Sequence, residues 1–244
     1  MTRQSQSAVM FFALALVGLG VLALIYGDFA LVWQPVPASL PGRTALAYLA
    51  GVIMLVGGVG LLFPKTAALS IRVLFPYLVV WMLLKVPALA EKPGQESVWL
   101  GVGELAVLMA GGWVLFDRLT GREKGIRAAQ ILFGLALIPI GLSHMVYAKD
   151  TADLVPAWLP FHLGWAYLTG AAHIAAGLAV LCSVVPRLAA TLEAAMIGLF
   201  TLLVWVPAIV AAPTARLPWT AFLISWVIGA AAWLVADSIV RRVS

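Results

Sequence analysis

The chain has 244 residues, of which 64% are hydrophobic and 10% are charged, and its mean hydropathy is +1.06. Because this composition is too apolar for a soluble globular domain, we expect lipid to be the main solvent. The net charge of +5 does not indicate a nucleic-acid partner, since the basic residues lie between apolar stretches, where membrane topology accounts for them.

Eight apolar stretches follow one another along the chain, and each is long enough to cross a bilayer core of about 30 Å as a helix. Backbone polar groups cannot stay unpaired in lipid, so the predicted fold class is all-α, a polytopic membrane protein with eight transmembrane helices. The first stretch lacks a small-residue cleavage site before Asp28, which favours a retained helix over a signal peptide. The stretches are 8–28, 43–63, 70–90, 97–116, 128–148, 163–183, 189–211 and 218–238.

The two halves of the sequence resemble each other at an offset of 119 to 120 residues. The matching pairs are 36–41 with 155–160, 47–51 with 166–170, Gly58 with Gly177, 86–88 with 206–208, and Asp117 with Asp237. Aligned prolines, glycines and aromatic residues indicate duplication rather than chance similarity. We therefore predict two four-helix-bundle repeats, residues 1–120 and 121–244. Four is an even number of spans, so the repeats are expected to be parallel.

Small residues in the second helix of each repeat predict a close approach of neighbouring helices. Gly51 and Gly58 lie in the first repeat, and Gly170 and Gly177 occupy the matching positions in the second. Glycine at these positions lets the backbones of two helices touch. We expect packing to be their role.

The Lys and Arg residues fall mainly on one side of the predicted bundle. One side holds Arg3, Lys65, Arg72, Arg118, Arg122, Lys124, Arg127, Arg187, Arg241 and Arg242, and the other holds Arg43, Lys92, Lys149 and Arg216. An excess of ten over four predicts that both termini are cytoplasmic. The expected location is a bacterial inner membrane.

Two ionisable residues, Lys85 and Glu104, lie within predicted spans of the first half. An ionisable group near the bilayer centre costs at least about 2.5 to 3.5 kcal/mol, so each should face the bundle interior and have a partner. The third helix runs outward and the fourth inward, which allows Lys85 and Glu104 to form an ion pair at similar depth. Alternatively, Lys85 extends to the lipid headgroups or pairs with Glu91.

The second half carries histidines in its spans, and its counterparts of Lys85 and Glu104 are apolar. His144 lies near the outer end of one stretch, and His173 lies about ten residues into the next, which predicts a depth roughly 15 Å greater. If both face inward, they flank a small pocket in which an imidazole binds a quinone headgroup or relays a proton for it. Bis-histidine haem is disfavoured by the depth difference, and purely structural histidines are the other alternative.

The segment 155–160, preceded by Gly141-Leu-Ser-His and followed by Tyr167-Leu-Thr-Gly, resembles the DoxX family. Members of that family are four-helix membrane proteins, and the resemblance is closest over residues 128–211. An acidic residue often occupies the position of His173 in such proteins. The resemblance implies a link to quinone-coupled oxidation, in which the chain is a membrane subunit beside an oxidoreductase partner.

Four residues are therefore the candidate ligands for a quinone or another small amphiphile in the outward half, namely His144, His173, Trp158 and Tyr167. Glu193, near the cytoplasmic end of the seventh stretch, is expected to reach the interface or to meet an arginine there. One cysteine in the whole chain excludes an intrachain disulfide, and there is no zinc motif, nucleotide-binding glycine loop or catalytic triad. The alternative function is a non-enzymatic membrane scaffold or a small-solute carrier.

Overall fold

The computed structural model describes residues 3–30, 33–34, 36–122 and 124–239, and the regular secondary structure in these ranges is helical throughout. The helices are α1 (Arg3–Tyr26), α2 (Arg43–Leu61), α3 (Pro64–Glu91), α4 (Glu96–Thr120), α5 (Ile126–Val146), α6 (Ala148–Asp153), α7 (His162–Leu181), α8 (Pro186–Phe200), α9 (Val206–Ala211) and α10 (Arg216–Ser238). A π-helical turn, Thr201–Trp205, joins α8 to α9.

Eight helical segments within the described ranges are long and apolar enough to cross a membrane, which confirms the predicted fold class. One of them, Pro186–Ala211, consists of α8, the π-helical turn and α9. The longest is α3, which begins at Pro64 rather than at residue 70. A proline is tolerated at the first helical position because its missing N–H would have no partner there. The short helix α6 was not predicted.

Successive spans alternate in direction. We call the end of the bundle at which α1, α3, α5 and α8 begin the lower end, and the end at which α2, α4, α7 and α10 begin the upper end. The side chain of Arg3 and the whole of Arg241 and Arg242, three of the basic residues assigned to the lower end, lie outside the described residues.

The helix neighbours of the two halves correspond. In the first half α1 packs on α2, α2 on α3 and α3 on α4; in the second half α5 packs on α7, α7 on α8 and α8 on α10. The halves join where α4 packs on α5, α10 on α1 and α4 on α10. A tandem duplication would produce this arrangement, although the duplication itself stays a prediction.

Glycines set the packing of the first two spans in each half. The closest pairs are Gly20 with Gly51, Ala13 with Gly58, Gly141 with Gly170, and Gly134 with Gly177. A Cβ atom added to Gly177 would lie 2.6 Å from the backbone oxygen of Gly134. Because a backbone oxygen cannot rotate away, any side chain there would force the helices apart. The predicted packing role of these glycines is confirmed.

The entries to α2 and α7 share an unusual backbone conformation. The residues before these helices, Gly42 and Phe161, both have left-handed dihedral angles, with φ of 70° and 58°. They lie 119 residues apart, at the same offset as the sequence repeat. Phenylalanine rarely adopts this conformation, so the shape of the connection is maintained at some cost in strain.

The chain between α1 and α2 folds back into the first half of the bundle. Phe29 and Trp33 are buried, and the Gln34 side-chain amide donates a 2.6 Å hydrogen bond to the hydroxyl of Tyr77, which lies halfway along α3. Irregular backbone at this depth is tolerated in membrane proteins where protein surrounds it. This connection therefore covers the interior of the first half from the upper end.

Asp28 ties the two halves together at the upper end. Its carboxylate forms ion pairs with Arg43 at 2.5 Å and with Arg216, at the start of α10, at 2.9 Å. Burial pushes the pKa of Asp28 upward, but hydrogen bonds donated by Arg216, the Phe29 N–H and Arg43 outweigh it and hold the pKa below its usual value. The cluster fastens the α1–α2 connection to a helix of the other half.

Candidate functional site

His144 on α5 and His173 on α7 lie in direct contact. Their ring centroids are 4.9 Å apart, and the rings meet edge to face at 71°. The glycine pair beside them explains the contact, since a Cβ on Gly170 would lie 2.8 Å from the Cβ of His144, and a Cβ on Gly141 would lie 3.1 Å from that of His173. The close approach of α5 and α7 thus brings the two imidazoles together.

The predicted depth difference of roughly 15 Å between these histidines is wrong. It assumed that α5 and α7 reach the same height at the upper end. Instead α5 ends at Val146, α6 and a loop follow, and α7 passes through eight residues before Gly170 packs beside His144. The predicted depth difference therefore no longer argues against bis-histidine haem. However, the two imidazole rings are in edge contact, which leaves no space for a porphyrin between them.

Glu193 on α8 completes the cluster. Its Oε1 lies 2.7 Å from Nδ1 of His173, and the two residues are only 1% and 2% exposed. The expectation that Glu193 reaches the interface or meets an arginine is wrong, because α8 turns this residue towards α7. Sequence reasoning missed its role, although a carboxylate inside an apolar span was itself a signal that it needed an interior partner.

The hydrogen bonds orient both imidazole rings. The Glu193 carboxylate accepts from Nδ1–H of His173. In a neutral imidazole that donates through Nδ1, Nε2 is the acceptor, so His173 keeps Nε2 for a ligand's O–H or for a proton. Nδ1 of His144 lies 2.9 Å from the Thr169 hydroxyl, and which of the two donates depends on the tautomer of His144.

Trp158 and Tyr167 are not part of this cluster. Trp158 lies in the loop before α7 and is 70% exposed, and Tyr167 is 47% exposed. Tyr167 directly follows Ala166, which is fully buried, and one residue turns the side chain about 100° around the helix. The structure thus brings together two of the four predicted ligands and leaves the other two on the surface.

An apolar groove of about 650 Å³ runs along α8 and α10. Phe200, whose ring lies 6.3 Å from each imidazole, is flanked in sequence by two groove residues, Leu199 and Thr201. Thr201 begins the π-helical turn, a feature that is frequent at functional sites. Phe200 and Glu193 lie on the face of α8 opposite to Thr191 and Gly198, which line the groove, so the groove and the histidine cluster lie on different sides of this helix.

The first half holds a different buried polar group. Lys85 on α3 is 6% exposed and attracts Glu104 on α4 electrostatically, and Oε2 of Glu104 is buried without a hydrogen-bond partner. The alternative in which Lys85 extends to the lipid headgroups is inconsistent with this burial. A direct ion pair between Lys85 and Glu104 stays a prediction.

The described residues contain no group of three His, Cys, Asp or Glu side chains arranged to hold a metal ion. Comparison with known families gives one match, to a family model described as a domain of unknown function, DUF8561, over residues 133–231. This range contains the histidine cluster and runs from α5 into α10, but covers less than half of the chain. No curated protein matches the chain, and no solved structure does.

Proposed function

We propose that the protein is an integral membrane subunit of a quinone-linked oxidoreductase system, in which His144 and His173 bind the headgroup of a quinone or a similar small amphiphile. One observation carries the proposal: two imidazoles in contact, one of them hydrogen-bonded to a buried carboxylate, lie inside membrane-spanning helices. Ionisable groups are costly at this depth and usually serve a function.

The first half shows that the fold does not need these polar groups. Gly51 packs beside Ala23 there, as Gly170 packs beside His144. Met54 lies three residues after Gly51 and is fully buried, as His173 lies three residues after Gly170. The same helix contact is thus built from apolar side chains in one half and from histidines in the other, which favours a role beyond packing for the histidines.

In this proposal His144 binds the ligand, and His173 with Glu193 handles the proton. Nε2 of His144, the more exposed imidazole, forms a hydrogen bond with the ligand, while Thr169 orients the ring. Glu193 accepts the hydrogen bond from Nδ1–H of His173 and orients the ring, so a proton received at the cluster lies next to a carboxylate. A bound quinone would supply the electron-carrying ring.

The membrane, the orientation of the chain, its partner subunit and its repeats are part of the same proposal. The lower end is cytoplasmic by the excess of Lys and Arg, and the membrane is the bacterial inner membrane. The resemblance to the DoxX family supports an oxidoreductase partner subunit, and the paired helix contacts support two tandem repeats. Superposition of residues 1–120 on residues 121–244 tests the repeats directly.

Gentle purification followed by lipid extraction tests the function. We expect quinone in the extract, and we expect decylubiquinol to bind with at least tenfold weaker affinity after His144→Gln or His173→Gln. Tyr167→Phe is the matched control, because Tyr167 lies on the same helix but outside the cluster, and its affinity should not change. Absence of bound quinone together with unchanged decylubiquinol affinity in both histidine variants would favour the scaffold or solute carrier instead.

A further inference from the structure

A cavity of about 610 Å³ lies at the lower end of the first half, between α3, α4 and the loop that follows α4. Its inner wall is aromatic and is formed by Phe75 of α3 and by Trp113 and Phe116 of α4. Its mouth is basic, because the exposed Arg122 and Lys124 of the loop line it. The cavity thus combines positive charge at the membrane surface with an apolar interior.

The loop is held in place over the end of α4. Gly121 has the left-handed conformation, with φ of 70°, which ends the helix and lets the chain reverse. The N–H of the next residue, Arg122, donates a 3.0 Å hydrogen bond to the backbone oxygen of Asp117. Gly125 passes so close to Trp113 that a Cβ atom there would clash with the indole nitrogen. These contacts fix the basic mouth relative to the aromatic wall.

The charges at the mouth favour an anion. The guanidinium of Arg122 lies 5.4 Å from the ring centroid of Phe116, so a cation–π interaction holds it over the aromatic wall. Among the described lining residues the only carboxylate is that of Asp117, which is 3% exposed and accepts a 2.5 Å hydrogen bond from the Gly125 N–H. Glu123, which follows Arg122 in the sequence, lies outside the described residues. The exposed charges that line the mouth are therefore positive.

The depth of the cavity distinguishes a lipid from a small anion. Trp113 lies eight residues before Gly121, which corresponds to about 12 Å along the helix. The headgroup region on each side of a bilayer is about 5 to 8 Å thick, so the aromatic wall reaches into the hydrocarbon. A free phosphate would occupy only the mouth, whereas a phospholipid would place its phosphate there and an acyl chain against the wall.

The second half leaves a cavity at the corresponding place. Trp233 and Ala195, which line the apolar groove, follow Trp113 and Phe75 by 120 residues, as the sequence repeat requires. The described residues that line this groove include no charged side chain. A cavity between the third and fourth spans of a half therefore forms without basic residues, which favours a binding role for those of the first half.

We propose that the lower cavity of the first half binds one anionic phospholipid of the leaflet at that end. Its phosphate lies at Arg122 and Lys124, and an acyl chain packs against Phe75 and Trp113. Basic pockets between membrane helices bind anionic lipid headgroups in this way. The proposal does not depend on the quinone site of the other half.

Native mass spectrometry of the delipidated full-length protein compares the binding of phosphatidylglycerol with that of phosphatidylcholine carrying the same acyl chains. The wild type should bind one phosphatidylglycerol more tightly than phosphatidylcholine. Arg122→Gln and Lys124→Gln should each weaken phosphatidylglycerol binding by about fivefold, the effect of one basic residue beside anionic headgroups, and leave phosphatidylcholine binding unchanged. The matched control is Lys65→Gln, which removes an exposed charge at the same end but outside the cavity lining and should change neither affinity.

Arg122→Lys guards against a folding defect, because it keeps the charge and should keep most of the phosphatidylglycerol affinity. Unchanged affinity in both glutamine variants of the mouth would overturn the proposal, and so would an equal loss in Lys65→Gln, since binding would then reflect the basic surface as a whole. Excess inorganic phosphate should not displace the lipid. Displacement would assign the mouth to a free anion and would overturn the lipid assignment.

Discussion

The pairing of His173 with Glu193 gives the sharpest test of the histidine cluster. Their hydrogen bond is 2.7 Å long, and their side chains are 2% and 0% exposed, so neither group has water as an alternative partner. Removing one partner of a buried hydrogen bond leaves the other unsatisfied, which costs about 1 to 3 kcal/mol and more where the group left behind is charged. We therefore expect His173→Leu and Glu193→Leu each to lower the free energy of unfolding by about 3 kcal/mol.

The double variant should cost much less than the sum of the two single variants, because leucine on both helices restores an apolar contact. We expect a coupling free energy of about 2 to 3 kcal/mol. Reversible unfolding in mixed micelles, followed by the fluorescence of the ten tryptophans, measures all three variants.

Thr201 and Ser225 provide a matched control, since their hydroxyls form a neutral hydrogen bond of 2.8 Å between the π-helical turn and α10. Hydrogen bonds of this kind between membrane helices contribute about 0.6 kcal/mol on average. If the losses for His173 and Glu193 add to within about 0.5 kcal/mol, the two residues are not energetically paired and the interpretation of the cluster is wrong.

Three further predictions concern the packing and charges of the bundle. Gly170→Ala should destabilise the protein by about 1 to 3 kcal/mol in the same unfolding assay, because its Cβ would lie 2.8 Å from a backbone oxygen. Gly198→Ala is the control and should be nearly neutral, since its Cβ would meet nothing within 4 Å. Because the pKa of Asp28 is lower in the folded state, its ionised carboxylate stabilises the fold above about pH 4, and this stabilisation is lost as the pH falls through the folded-state pKa. Thermal melts of Asp28→Asn at several pH values should therefore lack this pH dependence. Replacing Lys85 or Glu104 alone by an apolar residue should destabilise more than replacing both, and additive losses would contradict their pairing.

Two pairs of glycines show which packing positions could be predicted from the sequence and which could not. Gly51 with Gly58 and Gly170 with Gly177 could be identified as packing positions because small residues at helical spacing on an apolar helix have few other uses. Their partners on α1 and α5 could not be identified, since the rotation of each helix depends on all of its neighbours. For the same reason the sequence could not show that Tyr167 is exposed, since its side chain is turned only about 100° around the helix from that of the buried Ala166.

The sequence by itself determined the membrane class and the eight spans, because a helix in lipid must satisfy its own backbone and cover a fixed thickness with apolar residues. These are properties of contiguous segments, so they can be read along the chain. Only the tertiary structure decided that His144 touches His173, that Glu193 supports the pair and that Trp158 lies apart. Those relations depend on the relative height and rotation of α5, α7 and α8, which the close backbone contacts at Gly141 and Gly170 help to set.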